Sequence, residues 1–284
     1  MEKATETLHQ LAAFLRAHEG IRTAQYSALE ADLPGHVGNM LRRSRSDRGW
    51  SQRCAAQQLH ISRAQYLRYE SGVAMPRLHT ISLWSLIFGA PPSVLLSPSR
   101  YGQNERAIPP HFFRLSQWLC ESPTLVFCDT LQQIQRLLDL PELLPDPASC
   151  CLDDHLLEEA RAEVMSHNLY LTVGANLRLV RQMLNYSQEE MANGLGISTS
   201  HYLSIERGDV TYSFAMLPRF SYAMQLPPLA LAINTRYYAA RQALSTRYNT
   251  ALDLFECVAD DLKESVLDHI VGTMTLYRLS QRQR

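Results

Sequence analysis

VGNMLRRSRSDRGWSQRCAAQQLHISRAQYLRYESG, residues 37–72, recurs without a gap as VGANLRLVRQMLNYSQEEMANGLGISTSHYLSIERG, residues 173–208. Fifteen of the 36 paired positions are identical, and the same offset of 136 residues also pairs Pro91-Pro92 with Pro227-Pro228. Chance does not keep so long a stretch in register. The chain therefore carries one module twice, and its function should follow from what that module does.

Length and composition indicate an ordinary globular protein. The 284 residues suffice for two or three domains, each with its own core; 46% of them are hydrophobic and the net charge is −1. The N-terminus contains acidic residues and no long apolar run, and the apolar stretches near 83–96 and 226–233 are shorter than the ~20 residues of a membrane span. We therefore expect a cytoplasmic protein without a membrane partner.

The sequence contains no motif that predicts catalysis or a cofactor. The six cysteines show no C-x-x-C spacing, so we expect reduced and mostly buried thiols, with a redox switch at Cys150-Cys151 as a minor alternative. The acidic run around Asp153-Asp154-His155 is the kind that the helix macrodipole favours in a first helical turn. A phosphate-binding glycine loop, a metal-ligand motif and a nucleophile elbow are all missing from the sequence. We expect neither an enzyme nor a cofactor.

Charge is strongly segregated along the chain. Residues 37–100 contain nine arginines against two acids, a net charge of +7, whereas residues 121–163 contain ten acids against two arginines, a net charge of −8. The second copy, over 173–236, has a net charge of +1. A basic module next to an acidic one predicts a polyanionic partner for the first copy alone.

Each copy of the module predicts two short helices joined by a tight turn. Serines stand at the N-cap positions and a glycine follows the second helix at equivalent places: Ser51, Ser62 and Gly72, then Ser187, Ser198 and Gly208. Ser187 with Glu190, and Ser62 with Gln65, have the spacing of a capping box. Two helices arranged in this way form a helix-turn-helix unit, whose second helix enters a DNA groove.

The pattern L-R-x-x-R…S-Q-x-x-x-A-x-x-L-x-I-S-x-x-x-x-x-x-x-E-x-G, followed by a fourth apolar helix and a short fifth, resembles the lambda-repressor-like (XRE-type) helix-turn-helix family over residues 37–96 and 173–232. The resemblance implies two five-helix DNA-binding domains. It also implies that Arg45 with Glu70, and Arg181 with Glu206, are buried framework pairs. Ser51 and Gln52 match the helix start at which the family binds a phosphate, a place suited to anions.

On the first recognition helix, the resemblance places the base-reading positions at Arg63, Ala64 and Arg68, on the face opposite Tyr66 and Tyr69. Arginine can donate two hydrogen bonds to guanine, worth ~1–3 kcal/mol of discrimination. Pro76-Arg77 resembles the family's arm toward the DNA backbone or minor groove; the alternative for all three arginines is a solvated basic surface. The predicted DNA-binding set of this copy is Ser51, Gln52, Ser62, Arg63, Ala64, Gln65, Leu67, Arg68 and Arg77.

The second copy keeps the framework but has a different set at the DNA-facing positions, namely Gln188, Thr199, Ser200, Ser204 and Arg207. Glu189 and Glu190 lie beside Gln188, where they would repel DNA, and Tyr212-Ser213 replaces the proline and arginine of the arm. Either this copy binds DNA weakly or it contacts protein. Leu67 and its counterpart Leu203 lie in the middle of the DNA-facing arc, where a leucine would contact either a thymine methyl or a protein partner.

The remaining segments also have helical periodicity, so we predict an all-α fold in which two five-helix helix-turn-helix domains are joined and flanked by further helices. The predicted boundaries are an N-terminal helix over 1–34, the first domain over 35–100, an acidic helical connector over 101–170, the divergent second domain over 171–236 and C-terminal helices over 237–284. Runs at 125–140, 152–171, 236–257 and 259–281 are predicted helices, and the last two are a candidate dimerisation surface.

These features predict a sequence-specific transcriptional regulator that binds double-stranded DNA mainly through its first helix-turn-helix. The alternative is a protein-interaction regulator, an antitoxin or anti-activator, that binds a protein partner through its second repeat and connector. The charge difference between the copies favours a homodimer that uses two first repeats on half-sites about one DNA turn apart. The rival model is a single chain that uses both of its own repeats.

Overall fold

A computed structural model describes residues 2–15, 20–97, 101, 106–227 and 229–282; Pro228 of the repeated proline pair lies outside them. Within these residues the chain is all-α apart from one isolated β-bridge, and no helix is long and apolar enough to cross a membrane. The helices are α1 Glu2–Phe14, α2 Tyr26–Glu30, α3 Leu33–Asp47, α4 Gln52–Gln58, α5 Arg63–Glu70, α6 Leu78–Phe88, α7 Ser116–Glu121, α8 Thr124–Leu138, α9 Asp154–Met165, α10 Asn168–Met183, α11 Gln188–Leu195, α12 Thr199–Glu206, α13 Met216–Met224, α14 Arg236–Cys257 and α15 Lys263–Arg282.

The two repeats fold in the same way, as α3–α6 and as α10–α13. In each, the predicted fifth helix is a short 3-10 turn instead, at Pro92–Leu96 and at Ala230–Ala232. Their first helices begin at Leu33 and Asn168, a few residues before the repeated sequence starts. The predicted runs 125–140 and 236–257 are close to α8 and α14, whereas the run 152–171 is broken at Ser166 into α9 and α10.

All four predicted serine N-caps are present, each side chain accepting a backbone N–H three residues on. Ser187 and Glu190 form the complete capping box. The capping box predicted for Ser62 and Gln65 is wrong, because the Gln65 amide donates to the Tyr69 hydroxyl at 2.6 Å instead of returning to the helix start. A local spacing rule cannot anticipate a competing acceptor one turn further along the same helix.

A glycine lets the first helix of each repeat lie directly against the end of the recognition helix. A Cβ added to Gly38 of α3 would lie 2.5 Å from the Tyr69 carbonyl oxygen, and one added to Gly174 of α10 would lie 2.5 Å from that of Ile205. Real Cβ atoms do not approach backbone that closely. Close packing of the two helices therefore explains why both copies have glycine at this position.

The segment before the first repeat packs on the second repeat. The Arg22 amide donates to the Ala223 carbonyl at 3.0 Å, and the Tyr26 hydroxyl donates to the Gly194 carbonyl at 2.6 Å. Glu30 forms a partly buried ion pair with Arg219 of α13 at 2.6 Å. Burial raises the pKa of Tyr26 to about 12, so its hydroxyl stays protonated. Residues 20–30 thus belong structurally to the second repeat.

The helix after the second repeat packs on the first repeat and its neighbours. Two arginines of α14 are fully buried. Arg241 donates to the carbonyls of Ser85 and Gly89 at the end of α6, and Arg247 donates to those of Leu119 and Ser122 at the end of α7. Cations suit the C-terminal ends of helices. Because the two flanks cross over, the described residues form one continuous core instead of the separate domain cores expected from chain length.

The helix α15 begins at Lys263, four residues after the start of the predicted run, and packs on its neighbours through the buried Val266, Ile270 and Met274. Leu262 and Leu276 are 39% and 70% exposed. The cysteines are free, but Cys151 and Cys257 are exposed, so the expectation of mostly buried thiols holds for only part of the set. Amphipathic periodicity fixes the face of a helix, while its ends depend on what the helix packs against.

We expect Gly38→Ala to destabilise the protein by ~1–3 kcal/mol, because its methyl group would collide with the backbone of α5. Gly35→Ala in the same helix is the matched control, since no atom lies within 4 Å of its added Cβ; it should leave stability unchanged or raise it. Chemical denaturation of the two variants measures the difference. Equal stability of both variants would contradict the close approach.

Candidate nucleic-acid interface

The recognition helix α5 of the first repeat has one buried and one exposed face. Tyr66 and Tyr69 are 1% and 3% exposed and pack into the core. On the opposite side Arg63, Ala64, Leu67 and Arg68 are exposed, as the sequence predicted, and the exposed Ser62 caps the helix start. Within the described part of the chain, the guanidinium groups of Arg63 and Arg68 make no hydrogen bond or ion pair. Both guanidinium groups are available to a partner.

A buried carboxylate holds this helix to the two helices before it. Glu70, at the end of α5, accepts a hydrogen bond from Arg45 Nε of α3 at 2.6 Å and one from Gln52 Nε2 of α4 at 3.2 Å. The Arg45 guanidinium also donates to the Trp50 carbonyl at 2.8 Å. The hydrogen bond to Glu70 raises the pKa of Arg45 above its already high value, so the guanidinium stays charged. The predicted framework pair is therefore present.

The second repeat contains the same arrangement. Arg181 of α10 donates to Glu206 of α12 from two of its nitrogens, at 2.8 and 3.0 Å, and Gln188 of α11 donates to Glu206 at 3.2 Å. The Arg181 guanidinium also donates to the Tyr186 carbonyl, the counterpart of Trp50. Both recognition helices are thus fixed by equivalent atoms.

The residues predicted to contact phosphate at the start of α4 have structural roles. The Gln52 amide donates to Glu70, and the Ser51 hydroxyl accepts the Cys54 amide. Arg53 is also exposed at this helix start, and its counterpart in the second repeat is the exposed Glu189. Arg42 of α3 is also exposed and donates to the Glu70 carbonyl at 3.3 Å. Sequence reasoning missed both arginines, although the opposite charges at positions 53 and 189 marked the first of them.

Arg77, the predicted arm, lies at the contact between the two repeats. Its side chain is exposed, its guanidinium donates to the Thr211 hydroxyl, and its backbone pairs with Ser213 in the single β-bridge of the described residues. The sequence placed Arg77 beyond the recognition helix but gave no sign of this neighbour. A DNA contact by Arg77 would therefore occur where the repeats meet.

The exposed face of α12 is less basic than that of α5. Thr199 and Ser200 are exposed, but the half-buried Ser204 donates its hydroxyl proton to the Ser200 carbonyl at 3.1 Å. Arg207 forms an exposed ion pair with Asp209 at 2.8 Å. Its positive charge is thereby largely compensated. The predicted residues of the second repeat lie together on one face. Ser204 and Arg207 among them, however, already use their polar groups in a hydrogen bond and an ion pair within the protein.

An open groove of 720 Å³ runs between α10 and α12 beside this face. Leu171, Leu179 and Leu203 contribute apolar surface to it, and Arg178, Gln188 and Arg207 contribute polar groups. Leu171 is 47% exposed. In the first repeat, glycine and arginine occupy the positions of Leu171 and Leu179, so the apolar surface that these two leucines contribute belongs to the second repeat alone.

The acidic cluster at the start of α9 has a structural explanation. Asp153 caps the helix by accepting the Leu156 amide at 2.6 Å, and His155 lies 3.5 Å from Glu159 one turn along the same exposed surface. These contacts are those of a helix N-terminus.

Comparison with known protein families identifies a helix-turn-helix domain over residues 36–93 and a second helix-turn-helix over residues 177–228, both of the XRE type. The two matches coincide with α3–α6 and with most of α10–α13. No curated protein and no solved structure matches the chain. The chain therefore contains two tandem helix-turn-helix domains, as its internal repeat predicted.

We expect Glu70→Gln to lower the free energy of unfolding by about 3 kcal/mol, because it leaves the half-buried Arg45 charge without its carboxylate. The control is Asp209→Asn, which removes a carboxylate from the solvent-exposed pair with Arg207 and should change stability little. Urea denaturation of both variants measures the difference. A Glu70 variant as stable as the control would show that the buried pair does not hold α5.

Proposed function

We propose that this protein is a sequence-specific DNA-binding regulator of transcription that acts mainly through its first helix-turn-helix. The observation that carries the proposal is the exposed face of α5. The guanidinium groups of Arg63 and Arg68 extend from it without a hydrogen bond or ion pair to any described residue, and Glu70 fixes the helix beneath them. Arginines held in this way can donate paired hydrogen bonds to guanine in the major groove.

The difference between the repeats supports the leading role of the first one. The net charge of residues 37–100 is +7, and that of residues 173–236 is +1. Arg53 also adds positive charge at the start of α4, where Glu189 adds negative charge in the second repeat. Because phosphate contacts supply most of the sequence-independent affinity for DNA, the first repeat should contribute more binding energy. The proposal gives the chain a binding role without catalysis or a cofactor.

The charge asymmetry between the repeats by itself favours a homodimer, which stays a prediction, and the rival is a single chain that uses both of its repeats. The expected surface of the homodimer, the pair of C-terminal helices, is partly occupied, because the apolar residues of α14 are buried within the chain. Leu276 and Leu279 of α15 are exposed, as is Leu262 immediately before this helix. Self-association through this region would therefore involve α15.

A second candidate function is protein recognition through the second repeat. The observation that favours it is the groove beside α12, where Leu171, Leu179 and Leu203 provide apolar surface beside the two arginines Arg178 and Arg207. A regulator of the antitoxin or anti-activator kind would use such a surface for a protein partner. This function is compatible with DNA binding by the first repeat.

We expect Arg68→Ala to weaken binding to the preferred DNA site by ~1–3 kcal/mol and to relax the preference at one base pair. Arg63→Ala should have the same effect at a neighbouring base pair, since both residues lie on one exposed face. The matched control is Arg136→Ala, which removes the same charge from an exposed position on α8. Sites selected from a random duplex library and binding assays on each variant measure both effects.

If folded Arg63→Ala and Arg68→Ala proteins bind the selected sites as tightly as the Arg136 control, α5 does not read bases. The proposal would then be wrong for the first repeat. Retained selection of a defined sequence by these variants would instead assign recognition to the second repeat.

Affinity for DNA should fall steeply as salt concentration rises. For about five phosphate contacts, the slope of log K against log salt should be about −4 to −5. The cause is the release of counterions from the DNA when the basic first repeat, whose net charge is +7, neutralises its phosphates. Titrations at several salt concentrations measure the slope, and a flat response would favour the protein-binding alternative.

A further inference from the structure

The two repeats meet in a contact that is symmetric atom by atom. The amide of Leu78 donates to the Tyr212 carbonyl at 3.1 Å, and the amide of Phe214 donates to the Pro76 carbonyl at 2.8 Å. Leu78 and Phe214 are separated by 136 residues, and so are Pro76 and Tyr212, which is the offset of the sequence repeat. The antiparallel pair Arg77 and Ser213 lies at the centre and has the same offset. A local two-fold axis therefore passes between equivalent residues of one chain.

This axis has a solvent side and a core side. Directly paired residues of antiparallel strands project to the same face, and their neighbours project to the other. Leu78, Tyr212 and Phe214 are buried, whereas Arg77 is exposed. The axis consequently emerges from the protein beside the Arg77 side chain. Rotation about this two-fold axis maps the solvent side of one repeat onto the solvent side of the other. The two repeats therefore expose equivalent surfaces around Arg77.

Buried contacts hold the two repeats in this arrangement. Next to the bridge, His79 of the first repeat lies 3.0 Å from the hydroxyl of Tyr170 in the second, and the Tyr170 ring packs edge-on against Tyr212. The segments that flank the repeats also join them. Tyr26, before the first repeat, packs on α11 of the second, and Arg241, after the second repeat, packs on the end of α6 of the first. The pairing is thus part of the core of a single chain rather than an encounter between loosely linked domains.

We propose that the two helix-turn-helix repeats of one chain act as a built-in pseudo-dimer, which binds one DNA duplex across two unequal half-sites with Arg77 at their centre. This inference rests on the proposed DNA-binding function and adds the geometry of the site. Two recognition helices related by a two-fold axis contact successive major grooves on one face of DNA, about 10 base pairs apart. Between them the minor groove faces the protein.

The sequence difference between the repeats gives each part of the site its own chemistry. Arg63 and Arg68 would read a guanine-containing half-site, and Thr199 and Ser200 would read a weaker one. At the centre one guanidinium, that of Arg77, faces the minor groove, because its symmetry mate is Ser213. Narrow A·T-rich minor grooves attract arginine. The preferred site should therefore be asymmetric, with an A·T-rich centre.

The first experiment uses the full chain and a random duplex library, followed by footprinting and sedimentation on the selected site. We expect one chain per duplex, with Arg63→Ala disturbing one half of the footprint and a Thr199→Ala/Ser200→Ala double variant disturbing the other. The arginine change should weaken binding about tenfold to hundredfold, and the double change by less. Two chains per duplex, or a symmetric footprint that Arg63→Ala weakens in both halves, would overturn the pseudo-dimer and leave DNA binding intact.

The second experiment locks the repeats together. Arg77 and Ser213 form a non-hydrogen-bonded pair, whose Cα atoms are about 4.5 Å apart in antiparallel strands, within the range that a disulfide spans. An Arg77→Cys/Ser213→Cys variant should form this disulfide in a background where Cys54, Cys151 and Cys257 are serine. The same background without the two new cysteines is the control.

The oxidised and reduced forms of the locked variant differ only in the crosslink, so the loss of the Arg77 charge cancels from their comparison. We expect the oxidised form to bind the selected duplex with the same Kd and the same footprint as the reduced form. Loss of binding on oxidation that a reductant restores, or failure of the disulfide to form in a folded protein, would overturn the pseudo-dimer. Failure of the unmodified chain to select any duplex would overturn the proposed function itself.

Discussion

The ion pair between a buried glutamate and an arginine of the preceding first helix determines how each repeat presents its recognition helix. Glu70 and Glu206 are almost completely buried, and burial of a carboxylate is costly unless charge and hydrogen bonds compensate it. Here an arginine and a glutamine, from two different helices, satisfy each carboxylate. Three helices therefore converge on one side chain. The outer face of the recognition helix is free for function because its inner end is fixed in this way.

A second constraint joins the two repeats into one folded unit. The flank before the first repeat covers the second, and the flank after the second repeat covers the first. Arg241 and Arg247 of α14 are the clearest case, because their described hydrogen-bond partners are backbone carbonyls and hydroxyl oxygens instead of carboxylates. Burial lowers the pKa of both guanidinium groups, yet arginine starts from so high a value that it remains charged. These cations bind helix C-terminal ends, where the macrodipole favours positive charge.

The two copies have diverged at their surfaces while their interior contacts have stayed equivalent. The close glycine contacts of Gly38 and Gly174, the glutamate networks and the serine caps are present in both. At exposed positions, Arg53 corresponds to Glu189 and Arg68 to Ser204. A fold tolerates exchange of exposed charges at small cost in stability, whereas each such exchange changes affinity for a polyanion. Divergence of function between the repeats is therefore compatible with an unchanged scaffold.

Much of the fold and of the candidate site could be predicted from the sequence, because the signals concerned act over short distances along the chain. The serine caps act within three residues, and the exposed face of α5 follows from helical periodicity. The buried pair of Arg45 and Glu70 came from the family resemblance. All of these features recur within a module, and the internal repeat displayed them twice.

Contacts between residues distant in sequence were decided by the tertiary structure alone. The sequence did not reveal that Gln52 binds Glu70, that Tyr26 packs on the second repeat, or that Arg77 pairs with Ser213. Backbone hydrogen bonds of the kind that join the repeats use atoms common to every residue, so no side-chain pattern announces them. The sequence by itself determined that there are two helix-turn-helix modules and which face of each is exposed. How the modules are placed relative to one another depends on packing across 136 residues, which only the folded chain specifies.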